Sequence, residues 1–553
     1  MMKRHYLLTL ILGLVMINGA MAQKSKQFME SDYFKQAYEI LDSGGDQKEA
    51  LDYFMKEIGK HPQNGYTHYY ISGLYLNADM YGDALTYANK SVEYLKKEKD
   101  WITYAYRQRA DIYLKLGNEV AALNDFQLAL KADPKDIETY YERAEYYFQK
   151  GDFEKSDADF ERICQLDPSS TLGYMGKGRN ALNCEKYQEA ADLFSYSIKL
   201  DSSFSQAYAF RAGCFFHLNR TAEAVDDVIT ALGLDGNDMA FDLMMTSEDS
   251  VAQMFLTKLM IQKNKQPEEF LWPSYLGVFY ETHEQYREAI DSYTEAMKLS
   301  PDDSLYERIA SCYDMLGYYE LALENINRAI EMNQENASYI ALKADLLYQT
   351  GKGKEAIEAC GEFIKMNPEF YGGYYRRGFL KDNLKDTDGA IEDYTTAIVL
   401  KPDYAYSYLG RGDKYLQKGD KEAALKDYQM VIALDTIFGE ENCAQYAYLA
   451  IGDVEKAKSF EDKILANSGS AGNYYDAACL YARMGDKESS VKFLRKAFEK
   501  GFTRFAHIKL DDDLDVIRDM KEYKDLMKEY ETKYHEKLIK MRSEERQKDY
   551  HLL

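Results

Sequence analysis

Between residues 103 and 136, apolar side chains recur every three or four positions, first at Tyr106, Ala110 and Tyr113, then at Ala122, Phe126 and Ala129. That spacing puts each set on one face of a helix. Gly117 separates the two sets and Pro134 follows the second. Glycine tolerates the left-handed backbone that closes a helix, and proline, lacking an amide hydrogen, stops one. The pattern predicts two antiparallel helices joined by a tight turn. Ala110 and Ala122 are small enough to let the helices approach, while Phe126 fills the space toward the following unit. A hairpin this short cannot bury its apolar faces alone, so it must stack on neighbours.

The pattern recurs along nearly the whole chain. Alanine returns at Ala50, Ala84, Ala122, Ala190, Ala224, Ala289, Ala322, Ala356, Ala390, Ala424 and Ala457, mostly 33 or 34 residues apart or about twice that. Pro62, Pro134, Pro168, Pro301, Pro368 and Pro402 fall twelve residues after that position in their units. Such a period marks stacked supersecondary units, not one compact core. Fourteen units can be framed, beginning near Ser31, Gly65, Thr103, Ile137, Thr171, Ser205, Met239, Phe270, Asp303, Ala337, Tyr371, Ala405, Phe438 and Ala471.

The order small residue, aromatic, glycine, alanine, aromatic, alanine, proline resembles the tetratricopeptide repeat. The resemblance implies an all-α fold, an α-solenoid superhelix of about fourteen helix-turn-helix units. Residues 477–482, Gly485, Asp486, Ala497, Gly501, Phe502 and 513–518 resemble the terminal repeat common to bacterial proteins of this kind. The expected division is an export leader at 1–22, a first block at 23–236, and a degenerate Met-rich repeat at 237–269. A second block at 270–470, a terminal repeat with capping helix at 471–530, and a charged, fraying helical tail at 531–553 follow. The Met-rich repeat reads either as a kink between blocks or as an adaptable docking patch. Around residues 96–100, four extra positions lengthen a helix or loop.

In this family the inner face of each first helix lines a concave groove that takes extended or helical peptides. By position in the unit, that face implies Tyr69, Tyr104, Arg107, Tyr141, Phe148, Arg179, Phe216, Tyr348, Tyr375, Phe379, Tyr406 and Tyr446. Aromatic rings supply contact area and a hydroxyl handle, although many of the 50 tyrosines must simply pack between helices. Some relatives grip a carboxylate terminus with lysine and asparagine. Those positions here hold Arg107 and Asp111, Tyr141 and Glu145, Met175 and Arg179, so that clamp is absent.

A second pattern is written into five units, where an arginine precedes an aspartate by sixteen residues: Arg109 and Asp125, Arg143 and Asp159, Arg211 and Asp227, Arg377 and Asp393, Arg411 and Asp427. Units without the arginine lack the aspartate, with Leu276 matched to Ser292 and Ile309 to Asn325. Pairing with the preceding unit would require aspartate where Leu193 and Ala359 stand, so the pairs are expected within each hairpin as register-fixing structural contacts.

Charge and candidate chemistry narrow the function. Lys3 and Arg4 precede the apolar run from Leu7 to Ile17, and Ala20 and Ala22 stand before Gln23, the arrangement of an export signal too short to span a bilayer. Its removal takes the formal charge from −24 to about −26, which opposes binding to nucleic acid or anionic lipid. Seven cysteines include no CxxC; Cys164 and Cys184, on neighbouring helices, are offset by about 15 Å, beyond disulfide reach. The eight histidines never stand four apart, and no nucleophile elbow, metalloprotease motif or phosphate loop occurs. No catalytic, metal or cofactor residues are expected. The expected function is an exported, periplasmic or secreted, non-catalytic scaffold for a protein or peptide partner, with a tyrosine-lined glycan groove as the alternative. The oligomeric state is not specified by the sequence.

Overall fold

A computed structural model describes residues 31–245, 249–434 and 443–550; the leader at 1–22 and the start of the unit framed at Phe438 lie outside the described residues. Among the described residues the only regular structure is helical, and it forms an α-solenoid of fourteen consecutive hairpins. The first pairs Asp32–Asp42 with Gln47–Lys60, and the last pairs Ala471–Arg483 with Lys487–Glu499. The array divides into two compact units, one ending at Lys258 and the other beginning at Leu259, inside the Met-rich hairpin of Asp238–Met245 and Asp249–Lys265. Within each unit, every second helix packs on the first helix of the next hairpin.

Glycine and aromatic residues interlock the stack. Tyr394, 2% exposed, sits between Gly378 of its own hairpin and Gly410 of the next. A Cβ at Gly410 would stand 2.6 Å from the ring's Cζ, so only glycine admits the tyrosine there. Phe160 faces Gly176 of the following hairpin in the same way. The four extra residues near 96–100 become helix: Lys99–Lys115 has 17 residues, and its Trp101 and Ile102 are buried in the core of the first unit.

Among the described residues, the turn inside every hairpin but the Met-rich one carries a residue with positive φ. Gly117 supplies it at 74°, whereas Glu185 is held there at 58°. A side chain in this region carries a steric cost that glycine escapes, offset partly by the entropy of the unfolded chain. Glu185→Gly should therefore stabilise the full chain by about 0.5 kcal/mol. A lower denaturation midpoint for this variant would contradict that account of the turn.

All seven cysteines are free thiols, and only Cys184 is exposed. In the Met-rich hairpin both helices form and Met244 is fully buried, while Met239 and Met260 reach solvent.

The end of the chain departs from expectation. Helix Lys521–Tyr550 is continuous across the expected boundary at 530/531. Its Leu538 and Met541 are buried in the core of the second unit with Ile309, Tyr313, Ala322 and Ile326. The reason lies in one stripe: Tyr523, Leu526, Met527, Tyr530, Tyr534, Leu538 and Met541 recur every three or four residues, within a segment whose other positions are mostly charged.

Candidate functional site

First helices of neighbouring hairpins touch along the array, as Gly65–Asn77 touches Lys99–Lys115 and Ile137–Gln149 touches Thr171–Asn183. In the first unit their inner positions line a shared surface.

In the first unit this surface is aromatic and acidic. Tyr69, Tyr104, Tyr141, Phe148, Arg179 and Phe216 are half-buried on it. Trp101 links Tyr69 and Tyr104 through edge-on contacts at 5.7 and 6.0 Å. Tyr141 meets Phe160 edge-on at 6.3 Å. Burial pushes the hydroxyls of Tyr69 and Tyr141 up to about 12, so both remain neutral donors.

The two arginines are not free cations. Arg107, 8% exposed, bonds Asp136 at 3.0 Å and pairs with Glu142 at 3.2 Å. Arg179 forks onto Glu145 at 2.7 and 3.3 Å and lies 4.3 Å over the Phe148 ring. Asp111 and Glu138 add further negative charge around Glu142. Five acidic side chains thus surround Arg107 and Arg179, with Lys115 beside Asp111, and burial raises the Glu142 carboxyl to about 8 despite the attraction of Arg107, so it keeps its proton at neutral pH. A ligand in this groove meets rings and a small surplus of negative charge.

The five sixteen-residue pairs lie across their hairpins as two parallel bonds each. Arg109 donates from Nε and one terminal nitrogen to Asp125 at 2.7 and 2.8 Å. Arg143 does so to Asp159 at 2.8 and 2.6 Å, and Arg211 to Asp227 at 2.7 Å twice. Arg377 reaches Asp393 at 2.8 and 2.7 Å, and Arg411 reaches Asp427 at 2.9 and 2.8 Å. Three arginines also bond the preceding hairpin, at Asn89, Ser195 and Thr395, so the pairs fix stacking as well as hairpin register.

In the second unit the inner face is covered by the chain itself. Tyr348 was expected in the groove but is 4% exposed, because the segment after the last hairpin lies on it. The Tyr348 hydroxyl meets Nδ1 of His507 at 2.9 Å, and the His507 ring also packs on Phe379 at 5.7 Å. Thr503 Oγ1 meets the Tyr319 hydroxyl at 2.8 Å, and Lys385 pairs with Asp512. Tyr375 packs among Tyr394, Tyr404 and Tyr406 at 5.0 to 6.4 Å. Tyr446 donates its hydroxyl to the Asp476 carbonyl at 2.8 Å, beneath Arg483. Arg107 and Tyr348 are therefore buried, and the other ten candidates are half-buried.

The same segment builds a cluster that histidine spacing does not reveal. Sγ of Cys479 and carboxylate oxygens of Asp511 and Asp513 lie within 4.8 Å of one another, a set that could hold a metal ion. Its polar atoms already have partners. Asp511 accepts from the Tyr475 hydroxyl at 2.6 Å and the Cys479 thiol at 3.5 Å, and Arg483 stands 3.8 Å from Asp513. No sequence motif joins Cys479 to Asp511 and Asp513; the signal is only the turn that brings 503–513 back over the terminal hairpin.

No helix among the described residues is long and apolar enough to cross a membrane. A model of the tetratricopeptide repeat matches residues 104–136, 137–170, 304–336 and 471–499, and a second model of the same repeat matches 175–238 and 380–436. A TPR repeat-containing protein of Methanocaldococcus jannaschii is 24% identical over 220 residues, covering 37% of this chain and 38% of that protein. The Hsp70-Hsp90 organizing protein of Triticum aestivum is 25% identical over 233 residues, covering 38% and 37%. The chain thus spans little more than a third of the length of these relatives. A solved tetratricopeptide repeat protein from Parabacteroides merdae is 16% identical with a TM-score of 0.35, covering 44% of this chain and 96% of that one.

Proposed function

From the premise that this chain is a multi-repeat tetratricopeptide protein, we propose that it is a protein-binding scaffold whose first unit holds a neutral-to-basic polypeptide segment on its inner face. The supporting observation is the surface around Tyr141, where Asp111, Asp136, Glu138 and Glu145 outnumber Arg107, Arg179 and Lys115 beside half-buried rings. Lysine or arginine on a partner would answer that surplus, and an apolar side chain would fill the space beside Tyr141 and Phe148. The rings favour this reading over a glycan. Tyr69, Tyr104 and Tyr141 are engaged edge-on with Trp101 and Phe160, which leaves poor flat platforms for sugar stacking. An export leader at 1–22 would place the encounter in the periplasm or outside the cell.

Selection from a random peptide library on the full chain tests this directly. Recovered sequences should carry Lys or Arg beside an apolar anchor, and Glu145→Lys should weaken them by about tenfold. Recovery of acidic peptides, or a tyrosine-fluorescence response to soluble glycans alone, would refute the reading.

A further inference from the structure

The segment after the last hairpin does more than cap the array. Phe505, Ile508, Leu514 and Ile517 pack on the terminal hairpin, closing its apolar face. The opposite side of the same segment runs along the inner face of the second unit. Its residues meet successive hairpins in order. Thr503 bonds Tyr319 and presses on Gly317, where a Cβ would stand 2.5 Å from its Oγ1. His507 bonds Tyr348 in the next hairpin and touches Phe379 in the one after. Asp512 pairs with Lys385 at the turn of that hairpin. Asp513 approaches Arg483, which forks onto Asp413 one hairpin further at 3.1 and 3.3 Å. The segment makes these contacts as a short helix, Phe505–Leu510, with a turn on either side, and meets one or two residues in each successive hairpin, on first helices at Tyr348 and Phe379 and at the turns around Gly317 and Lys385.

We infer that the inner face of the second unit is itself a peptide groove, held by the chain's own segment 503–513. It accepts in that segment's place an external polypeptide that pairs Arg or Lys with a hydroxyl and a ring but lacks the three aspartates.

Charge decides why an outsider can win. The groove beneath the segment presents Asp314, Asp345, Asp382, Asp413 and Asp476, of which Asp345 pairs with Arg376 at 2.9 Å, Asp382 with Lys414 and Asp413 with Arg483. Arg504 of the segment attracts Asp314, Asp345 and Asp476. Asp511, Asp512 and Asp513 bring like charge into the same place, where Asp512 pairs with Lys385, Asp513 lies 3.8 Å from Arg483 and Asp511 lies 3.6 Å from His507. Burial, together with this crowding, pushes the carboxyls of Asp476 and Asp513 up to about 7. The basic half of the segment matches the groove and the acidic half does not. The resident chain is thus a built-in but imperfect occupant, held in place by covalent attachment. This inference concerns the second unit and is independent of the reading of the first.

The probes are two labelled peptides, residues 501–510 and residues 501–514, titrated against the full chain. The variant Thr503→Ala with His507→Ala deletes both segment-to-tyrosine hydrogen bonds and leaves every groove residue intact. It should bind the 501–510 peptide about tenfold or more tightly than the natural chain, because the groove is open for a larger fraction of the time. The 501–510 peptide should bind tighter than 501–514, with the gap narrowing as salt rises. Val120→Ala, at an exposed position on a second helix of the first unit, should leave both affinities unchanged. Equal binding to variant and natural chain, no binding to either, or preference for the acid-containing peptide would each overturn the inference. Should the double variant fail to fold, hydrogen exchange on the natural chain decides. Excess 501–510 peptide must speed exchange across 503–513, and unchanged exchange there overturns the proposal.

Discussion

Arg109→Ala should destabilise the first unit by about 3 kcal/mol, an effect several times larger than loss of an exposed ion pair would produce. Asp125 lies on the buried face of Glu119–Ala132 with its side chain 1% exposed, and both its oxygens accept from Arg109. Removing the guanidinium strands a carboxylate where water cannot replace two charge-assisted hydrogen bonds. The loss spreads to the preceding hairpin, because Arg109 also donates to Asn89 at 3.0 Å. Arg109→Lys should recover only part of the deficit, since an ammonium cannot reproduce the fork. Arg109→Leu with Asp125→Leu should come close to the natural stability, because no charge is then left unpaired. The measurement is denaturant unfolding with amide exchange over Glu119–Ala132, where a stacked array loosens locally before it unfolds globally. A loss below about 1 kcal/mol for Arg109→Ala would show the pair to be as weak as a solvated one.

These pairs also show what kind of information the sequence carries. A sixteen-residue offset repeated in five hairpins was legible because it is local: turn length and helical pitch alone bring the partners together. The hairpins were legible for the same reason, since Gly117, Ala122 and Phe126 report on neighbours within one period of the repeat. For Tyr348, Arg107 and the tail, the surroundings are set by contacts that are not local. Tyr348 occupies a groove position in its own hairpin, and nothing within 34 residues signals that His507 covers it. Arg107 looks like a groove cation until the next hairpin supplies Asp136 and Glu142. The stripe from Tyr523 to Met541 is visible as periodicity, but the charged positions between its members mask it; its first part packs on the terminal hairpin, while the partners of Leu538 and Met541 lie some 200 residues away. A repeat therefore declares its own hairpin and conceals what the curvature of the stack brings back to it.

Glu461→Gln should raise stability above pH 8 while changing little at pH 5. Glu461 projects from Val454–Asn467 with 0% exposure. Burial pushes its carboxyl up from 4.5 to about 8, with Asp476 and Asp462 adding to the rise and Gln445 opposing it. Between those two values the folded chain keeps the proton that the unfolded chain releases. Stability from this group is therefore complete below about pH 4.5 and is lost progressively as pH climbs to 8. Glutamine has nearly the same shape and no charge to desolvate, so the variant escapes the loss. The gain should reach roughly 2–4 kcal/mol at pH 9, where the natural side chain must ionise inside the core. Asp476 titrates in the same direction toward about 7, so both proteins should weaken somewhat with pH, and the difference between them isolates Glu461. Urea unfolding at pH 5, 7 and 9, with amide exchange of Val454–Asn467, reads that difference. A variant equally destabilised at all three values would mean that the carboxylate is held ionised by partners, and that burial does not govern its charge.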